Sequence, residues 1–315
     1  MIPTIVLTAG LGTRLRPLTG LLAKPAVPVA GRPLVVRVLT WLRDAGFGDV
    51  VANLHHLPHT VTAAVGDGAH LGLRVRYSWE PVVLGSAGGP ARALRLWPGY
   101  DGPVLVVNGD TLTALDLAAV MAAHHANRAE GALVTMAAVP NRRPDHYNGL
   151  RLDAGHTVID VIPRGHREAT WHFVGVQVVE ASLLRRVSGD EPSETVSGLY
   201  RDLMGLESRS IRVHPLEASF LDVGTPADYL EASFALERAD GGARQTIVES
   251  SGLPGAVAAT VAPNADLRHC VVWPGAVVGP GAVLESSVVL TGAVVPPGTV
   301  AREVVWTAAG PVPLT

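Results

Sequence analysis

One cysteine, Cys270, stands in 315 residues, so no disulfide can form within the chain. That is the pattern of a reducing compartment, and a cytoplasmic location is expected. Aromatic residues are scarce at 5%, while hydrophobic residues reach 48%, mostly Ala, Val and Leu. A core is therefore available, built from small and branched side chains. No run of about 18 apolar residues occurs, so no membrane span and no membrane partner are expected. No basic head precedes an apolar stretch at the N-terminus, and no leader is expected there. The formal net charge is −3, which leaves no broad basic field and argues against nucleic acid as a partner. Any attraction for phosphate has to be local.

One segment supplies that local attraction. A short apolar run, Ile2 to Leu7, leads into Thr8-Ala9-Gly10-Leu11-Gly12-Thr13-Arg14-Leu15-Arg16-Pro17-Leu18-Thr19, with Lys24-Pro25 downstream. A glycine-rich turn at a strand end gathers backbone N–H groups into an anion nest. Arg14 and Lys24 add the charge that a leaving pyrophosphate needs. A Walker-type loop is excluded, because no Gly-Lys-Ser/Thr closes the motif.

The first half of the chain alternates between strand and helix. Leu34, Val38, Leu42 and Ala45 lie at helical spacing after Pro33, and Gly46 ends the run. Val50 to Asn53 and the alternating Leu73, Val75 and Tyr77 read as strands. Val104 to Val107, wholly apolar, reads as a strand buried on both faces and stops at Asn108-Gly109-Asp110. Asp116 to Arg128 follows as a helix and Ala132 to Val139 as a strand. The implied sheet is largely parallel with helices on both sides, and its ligands belong beyond the carboxyl ends of the strands. Further on, Leu150–Asp153 and Thr157–Ile162 predict a hairpin, Trp171–Val179 a strand, and Val196–Met204 and Pro226–Arg238 helices. Residues 239–243 read as a linker.

Beyond it the period changes. Pro263-Asn264-Ala265, Pro280-Gly281-Ala282 and Pro297-Gly298-Thr299 recur every 17 residues, as do Gly275-Ala276 and Gly292-Ala293. Val271-Val272 and Val288-Val289 share the interval, with Val304-Val305 one residue short of it. Short Val-rich strands between Pro-Gly or Thr-Gly corners predict stacked coils, two to three in number. So few coils need support, from the main domain or from a second copy in a homo-oligomer.

Gly-x-Gly-Thr-Arg-x-x-Pro-Leu-Thr with its downstream Lys-Pro resembles the nucleotide-binding motif of the sugar-nucleotide pyrophosphorylases. The resemblance extends over nearly the whole chain. It implies an α/β fold: a mostly parallel sheet with helices on both faces, Rossmann-like and GT-A-like, over residues 1–240. A short left-handed β-helix of hexapeptide type is implied over 245–315. The implied reaction joins a nucleoside triphosphate to a sugar 1-phosphate and releases pyrophosphate, with Mg²⁺ as cofactor.

The same resemblance assigns roles. Leu7, Ala9, Gly10, Gly12, Thr13 and Asn108 would contact nucleotide, with Arg14 and Lys24 on its phosphates. Asp110, after the buried strand, and Asp222, in Phe220-Leu221-Asp222-Val223-Gly224-Thr225-Pro226, match the two aspartates that hold the catalytic metal. Read alone, Asp110 is also a turn cap and Asp222 a helix-start signal. Leu84-Gly85-Ser86-Ala87-Gly88-Gly89-Pro90 resembles the family's base-contacting segment, with Gly85 and Gly88 allowing close approach to a flat ring. Gly149, in Tyr147-Asn148-Gly149, and Gly175, in Phe173-Val174-Gly175, fall at sugar-contacting positions. Many members carry Glu-Lys-Pro between those two segments. Here the stretch is Val161-Ile162-Pro163-Arg164-Gly165, and Arg164 is the candidate substitute for the lysine.

The Gly-Ser-Ala-Gly-Gly-Pro segment and the tail lean toward mannose-1-phosphate guanylyltransferases, hence GTP. Uridylyltransferases of muramic-acid or glucose type are the alternative. A regulatory subunit that binds nucleotide sugar without turnover is disfavoured by the intact Arg14, Lys24, Asp110 and Asp222. An acyltransferase is disfavoured by the few coils and the isolated His269. His55, His56, His59, His124 and His125 fit no zinc spacing and read as surface or helix-start residues.

Overall fold

The computed structural model describes residues 2–206, 209–250 and 257–315. Part of the expected 245–315 segment thus lies outside the described residues. The chain divides into two compact units. One comprises Met1–Gly10, Val38–His56 and Asp67–Phe220; the other comprises Leu11–Arg37, Leu57–Gly66 and Leu221–Thr315.

A nine-stranded sheet forms the first unit. Its strands are β1 (Thr4–Leu7), β2 (Asp49–Leu54), β3 (Arg74–Trp79), β4 (Pro103–Asn108), β5 (Val134–Pro140), β6 (Gly149–Leu152), β7 (Val158–Ile162), β8 (Trp171–Glu180) and β9 (Ile211–Pro215). They run in the order β7-β6-β8-β4-β1-β2-β3, with β5 pairing both β8 and β9. The four strands β4-β1-β2-β3 are mutually parallel, as is the β5–β9 pair. Strand β8 is antiparallel to β4 and β5, and β6 and β7 form the expected hairpin. The apolar run Val104–Val107 lies fully within the core beside Ile5 and Val51, which explains why it shows no alternation.

Helix Gly85–Leu94 packs on β1, β2 and β3, and helix Leu117–Ala129 on β5, β8 and β9. Local pattern does not announce the first of these as a helix. Gly85, Gly88, Gly89 and Pro90 all disfavour helix, yet Ala87, Ala91, Ala93 and Leu94 are buried against the sheet. Tertiary packing overrides local propensity there. His124 also departs from the expectation of a surface residue. It is fully buried, its Nδ1 3.1 Å from Thr135 Oγ1 and its Nε2 3.0 Å from Glu180 Oε1. Leu117, Val120, Met121 and His124 share one helical face, and that face meets the sheet.

The second unit holds the glycine-rich loop from Leu11 onward, helices Pro58–Val65 and Pro226–Ala239, and the C-terminal coils. Three coils of three short strands stack in parallel register. Thr260 pairs with Val277 and Val277 with Val294; Asp266 pairs with Val283 and Val283 with Val300; Val271 pairs with Val288 and Val288 with Val305. The period is 17 throughout. The last coil aligns Val305-Trp306, not Val304-Val305, with Val288-Val289. The interior is columnar: Val272 over Val289 and Trp306, Ala276 over Ala293, Val278 over Val295. Thr246–Val248 adds a parallel strand before Cys270–Val272, and Gly310–Pro313 closes the far edge antiparallel to Val304–Thr307. A proline-bearing last strand blunts the open edge that a stack of coils would otherwise present. Among the described residues no helix is long and apolar enough to cross a membrane.

Candidate functional site

Parallel pairing makes β1, β2 and β4 end at one edge of the sheet, where Leu7 pairs with Asn108. Two residues further, the turn Gly109–Asp110 carries the Asp110 carboxyl. Gly109 N–H donates to the Leu7 carbonyl at 2.9 Å. A cavity of about 340 Å³ opens at this edge, lined by Leu7, Ser86, Asn108 and Asn148 with Phe173, Gln177, Thr195 and Arg201 among its other walls. Three residues assigned to nucleotide from sequence, Leu7, Ser86 and Asn108, are thereby brought to one space.

The base-segment residues are more occupied than the sequence suggested. Ser86 Oγ donates to Glu194 Oε2 at 2.5 Å, and Thr195 N–H donates to Ser86 Oγ at 2.8 Å. Ala87 and Gly88 N–H groups both donate to the Ser193 carbonyl. A Cβ on Gly85 would sit 2.6 Å from Ser193 O, and one on Gly88 2.7 Å from Glu191 O. The close approach that these glycines permit is made by the chain's own Glu191–Thr195 segment.

The sugar-side candidates divide. Gly175, at φ +78°, packs against Asn108 and Thr111, and a Cβ there would overlap Thr111 Oγ1. Gly149 packs against Thr170 and His166. Pro163 lines the cavity, whereas Arg164 does not; its backbone N–H donates to Asn148 Oδ1 at 3.0 Å. The cation that does line it is Arg201, one residue into helix Tyr200–Leu206, which follows a π-helical turn at Thr195–Leu199. Sequence reasoning misses Arg201, since nothing local marks one arginine among many. Its neighbour Tyr200 is buried and donates its hydroxyl to Gln177 Oε1 at 2.7 Å, and burial pushes that phenol far up.

In the second unit the loop from Leu11 is tightly folded. Short 3₁₀ turns at Thr13–Leu15, Leu18–Gly20 and Lys24–Ala26 bury Leu15, Leu18 and Pro25. Gly12 adopts φ +60°, and its carbonyl accepts from Thr19 Oγ1 at 2.8 Å. Thr13 and Arg14 are left exposed on this frame. Lys24 Nζ lies 3.9 Å from Asp222 Oδ1. A Cβ built on Gly224 would lie 3.3 Å from Asp222 Oδ2 and 3.4 Å from Arg14 Nη1. Arg14, Lys24 and Asp222, far apart in sequence, therefore meet. The helix-start role open to Asp222 belongs to its neighbours: Thr225 and Asp228 form the capping box of helix Pro226–Ala239. That box fixes the path of Asp222-Val223-Gly224 without using the Asp222 carboxylate as the cap.

Among the described residues no cluster of three or more His, Cys, Asp or Glu is arranged around a metal-sized space. Ala9 and Gly10 belong to the first unit with Asp110; Gly12, Thr13, Arg14, Lys24 and Asp222 belong to the second.

An α/β sheet with a cavity at the carboxyl ends of its parallel strands, and a glycine-rich loop leaving the first of them, defines a nucleotide-binding class of protein. The nucleotidyl transferase family model matches residues 3–239, and the chain belongs to that family. Mannose-1-phosphate guanylyltransferase of Mycobacterium tuberculosis is 30% identical over 241 residues, covering 75% of this chain and 65% of that protein. N-acetylmuramate α-1-phosphate uridylyltransferase of Neisseria meningitidis serogroup B is 46% identical over 116 residues, covering 36% of this chain and 49% of that protein. The matched regions span less than two thirds of the length of these relatives. The solved structure of HddC from Yersinia pseudotuberculosis with GMP-PN shares the fold, with a TM-score of 0.62 at 21% identity over 75% of this chain and all of that chain.

Proposed function

We propose that this protein is a sugar-1-phosphate nucleotidylyltransferase, with GTP and mannose 1-phosphate as the first pair to test. The observation that carries the reading is the meeting of Arg14, Lys24 and Asp222 at the base of the glycine-rich loop. A phosphate oxygen of the sugar 1-phosphate attacks the α-phosphorus, the α–β bridging bond breaks, and pyrophosphate leaves. Arg14 and Lys24 stabilise the charge that develops on that leaving group. Backbone N–H groups of Gly10, Gly12 and Thr13 hold phosphate oxygens. No general base is needed, because the sugar phosphate is already an anion at neutral pH.

Asp110 and Asp222 offer the hard carboxylate oxygens that suit Mg²⁺, and they are the residues we assign to it. When bound, the ion supplies charge neutralisation at the phosphates. On the sugar side we assign Gly149, which follows cavity-lining Asn148, and Gly175, which packs against cavity-lining Asn108. Arg201 is a better placed partner for the sugar phosphate than Arg164, because it lines the cavity. We further propose 1–240 as the transferase domain and 245–315 as an assembly element through which copies associate.

The similarity of 46% over 116 residues to a muramate uridylyltransferase favours a second reading, UTP with another sugar 1-phosphate. The deciding experiment is a matrix of nucleoside triphosphates against sugar 1-phosphates with Mg²⁺ and a pyrophosphate readout. Release from GTP with mannose 1-phosphate alone supports the first pair. Preference for UTP supports the second reading. No release from any pair, with nucleotide sugar still bound, assigns a non-catalytic regulatory role.

A further inference from the structure

Glu80 is a carboxylate with no exposure to solvent. Its Oε1 accepts from Asn53 Nδ2 at 2.6 Å, and its Oε2 accepts from Leu84 N–H at 2.9 Å. Asn53, 3% exposed at the end of β2, turns its Oδ1 the other way and accepts from Thr8 N–H at 2.6 Å. The Thr8 hydroxyl in turn donates to the Asn53 carbonyl. Glu80 and Asn53 thus bridge two pieces of chain through a continuous run of buried hydrogen bonds. One piece is Thr8, directly after cavity-lining Leu7; the other is Leu84, two residues before cavity-lining Ser86.

A buried carboxylate is costly unless the lone pairs it presents are used. Its retention here, where an apolar side chain would fill the space, asks for a reason beyond burial. Helix Gly85–Leu94 supplies one. Gly89 lies directly over the pair: a Cβ there would sit 2.6 Å from Glu80 Oε1 and 2.7 Å from Asn53 Nδ2. The helix therefore closes on the two polar groups with no room to spare. A bridge of short, directional bonds sets distance and angle more tightly than apolar packing does.

We propose that Asn53 and Glu80 are positioning residues that hold the start of the glycine-rich loop and the Leu84–Ser86 segment in fixed register, so that one nucleotide meets both. The inference rests on the nucleotidylyltransferase reading and goes beyond it, since neither residue touches the cavity. The bridge ties the chain beside Leu7 and Ser86, the cavity residues assigned to nucleotide, and bonds to none of those assigned to the sugar phosphate.

The test uses isosteric variants. In Glu80→Gln the new amide turns one N–H group against a donor, either Asn53 Nδ2 or Leu84 N–H. Expected is a rise of about tenfold or more in KM for the nucleoside triphosphate, the effect of one buried polar group left unpaired, with KM for the sugar phosphate within about twofold. The double variant Asn53→Asp with Glu80→Gln restores every bond with the charge moved to position 53. The new carboxylate at that position would accept from Thr8 N–H and from the side-chain amide introduced at position 80. The carbonyl of that amide would accept from Leu84 N–H. Nucleotide KM of the double variant is expected to return to within about threefold of the parent, since all the hydrogen bonds are again made.

Thermal melts on the same samples establish that each variant is folded. Should Glu80→Gln fail to fold, the double variant alone decides, because it keeps both shape and hydrogen bonding. A folded Glu80→Gln with unchanged nucleotide KM overturns the proposal, as does equal loss for both substrates or a folded double variant with no recovery. An inactive parent protein would instead reject the nucleotidylyltransferase reading itself.

Discussion

Lys24 Nζ lies 3.9 Å from Asp222 Oδ1, with the lysine side chain only 12% exposed and the aspartate 27%. A largely buried ammonium near a carboxylate, beside Arg14, is a charge arrangement suited to a polyanion. Removing the ammonium should remove stabilisation that matters most as charge moves to the leaving group. Lys24→Ala is expected to lower kcat by about 10²–10³-fold, the usual effect of deleting one preorganised donor. Initial-rate pyrophosphate assays check it; a loss confined to KM would reassign Lys24 to ground-state binding.

Asp110 occupies a two-residue turn after a strand whose core is Val104–Val107. Asp110→Asn keeps the shape of the turn and removes a hard, charged ligand. Turnover is expected to fall by orders of magnitude while the circular dichroism spectrum and melting temperature stay at parent values. Near-parent activity across a Mg²⁺ titration would remove Asp110 from the metal site.

Gly12 has φ +60°, and a Cβ on it would lie 2.8 Å from Thr19 Cγ2 and 3.1 Å from Lys24 Cβ. Gly12→Ala therefore has to move either the Thr19 side chain or the Lys24 backbone. We expect a kcat loss of about tenfold or more together with a lowered melting temperature, because a Cβ at φ +60° is strained and small misplacements of the groups we assign to phosphate are costly. Parent-like kinetics would show that the loop absorbs the methyl group through Thr19 alone.

Glu249 is 2% exposed, and burial pushes its carboxyl up to about 7 from 4.5. Its Oε2 accepts from Gly31 N–H at 2.6 Å, in the Pro28–Val29/Arg32–Pro33 hairpin that follows Lys24. Arg37 and Arg244 oppose the shift, and Tyr229 lies close by. The folded state therefore holds this proton more tightly than the unfolded chain does. The stabilisation is complete below about pH 4.5 and is lost as pH rises through about 7. Urea titrations at pH 5.5 and 8 should show less stability at the higher pH, and Glu249→Gln should flatten that difference. An unchanged slope in the variant would place the pH dependence elsewhere.

The parallel core was legible because strands buried on both faces must be apolar throughout, as Val104–Val107 is. The coils were legible because a stack repeats its corners, and Pro-Gly at 17-residue intervals has no other simple reading. The register of the last coil differs by one residue from the valine pattern, since Val305-Trp306 and not Val304-Val305 pairs with Val288-Val289, which sets Trp306 in the inner column. Helix Gly85–Leu94 was hidden by its glycines. They serve close packing against Glu191–Thr195 and over Glu80, and composition alone cannot separate that use from a flexible loop.

The order of residues along the chain was enough to determine the class of fold, the glycine-rich loop after the first strand and the repeat of the tail. Each of these depends on local periodicity or on side chains within about twenty positions of one another. Tertiary structure alone decided that Arg201 and not Arg164 faces the cavity, that His124 is core, and that Asn53 and Glu80 bridge Thr8 to Leu84. These depend on hydrogen bonds and burial between residues up to 56 positions apart, or on which side of a helix or strand end meets a wall. Such contacts exist only once the sheet has brought distant strands together, so no local pattern announces them.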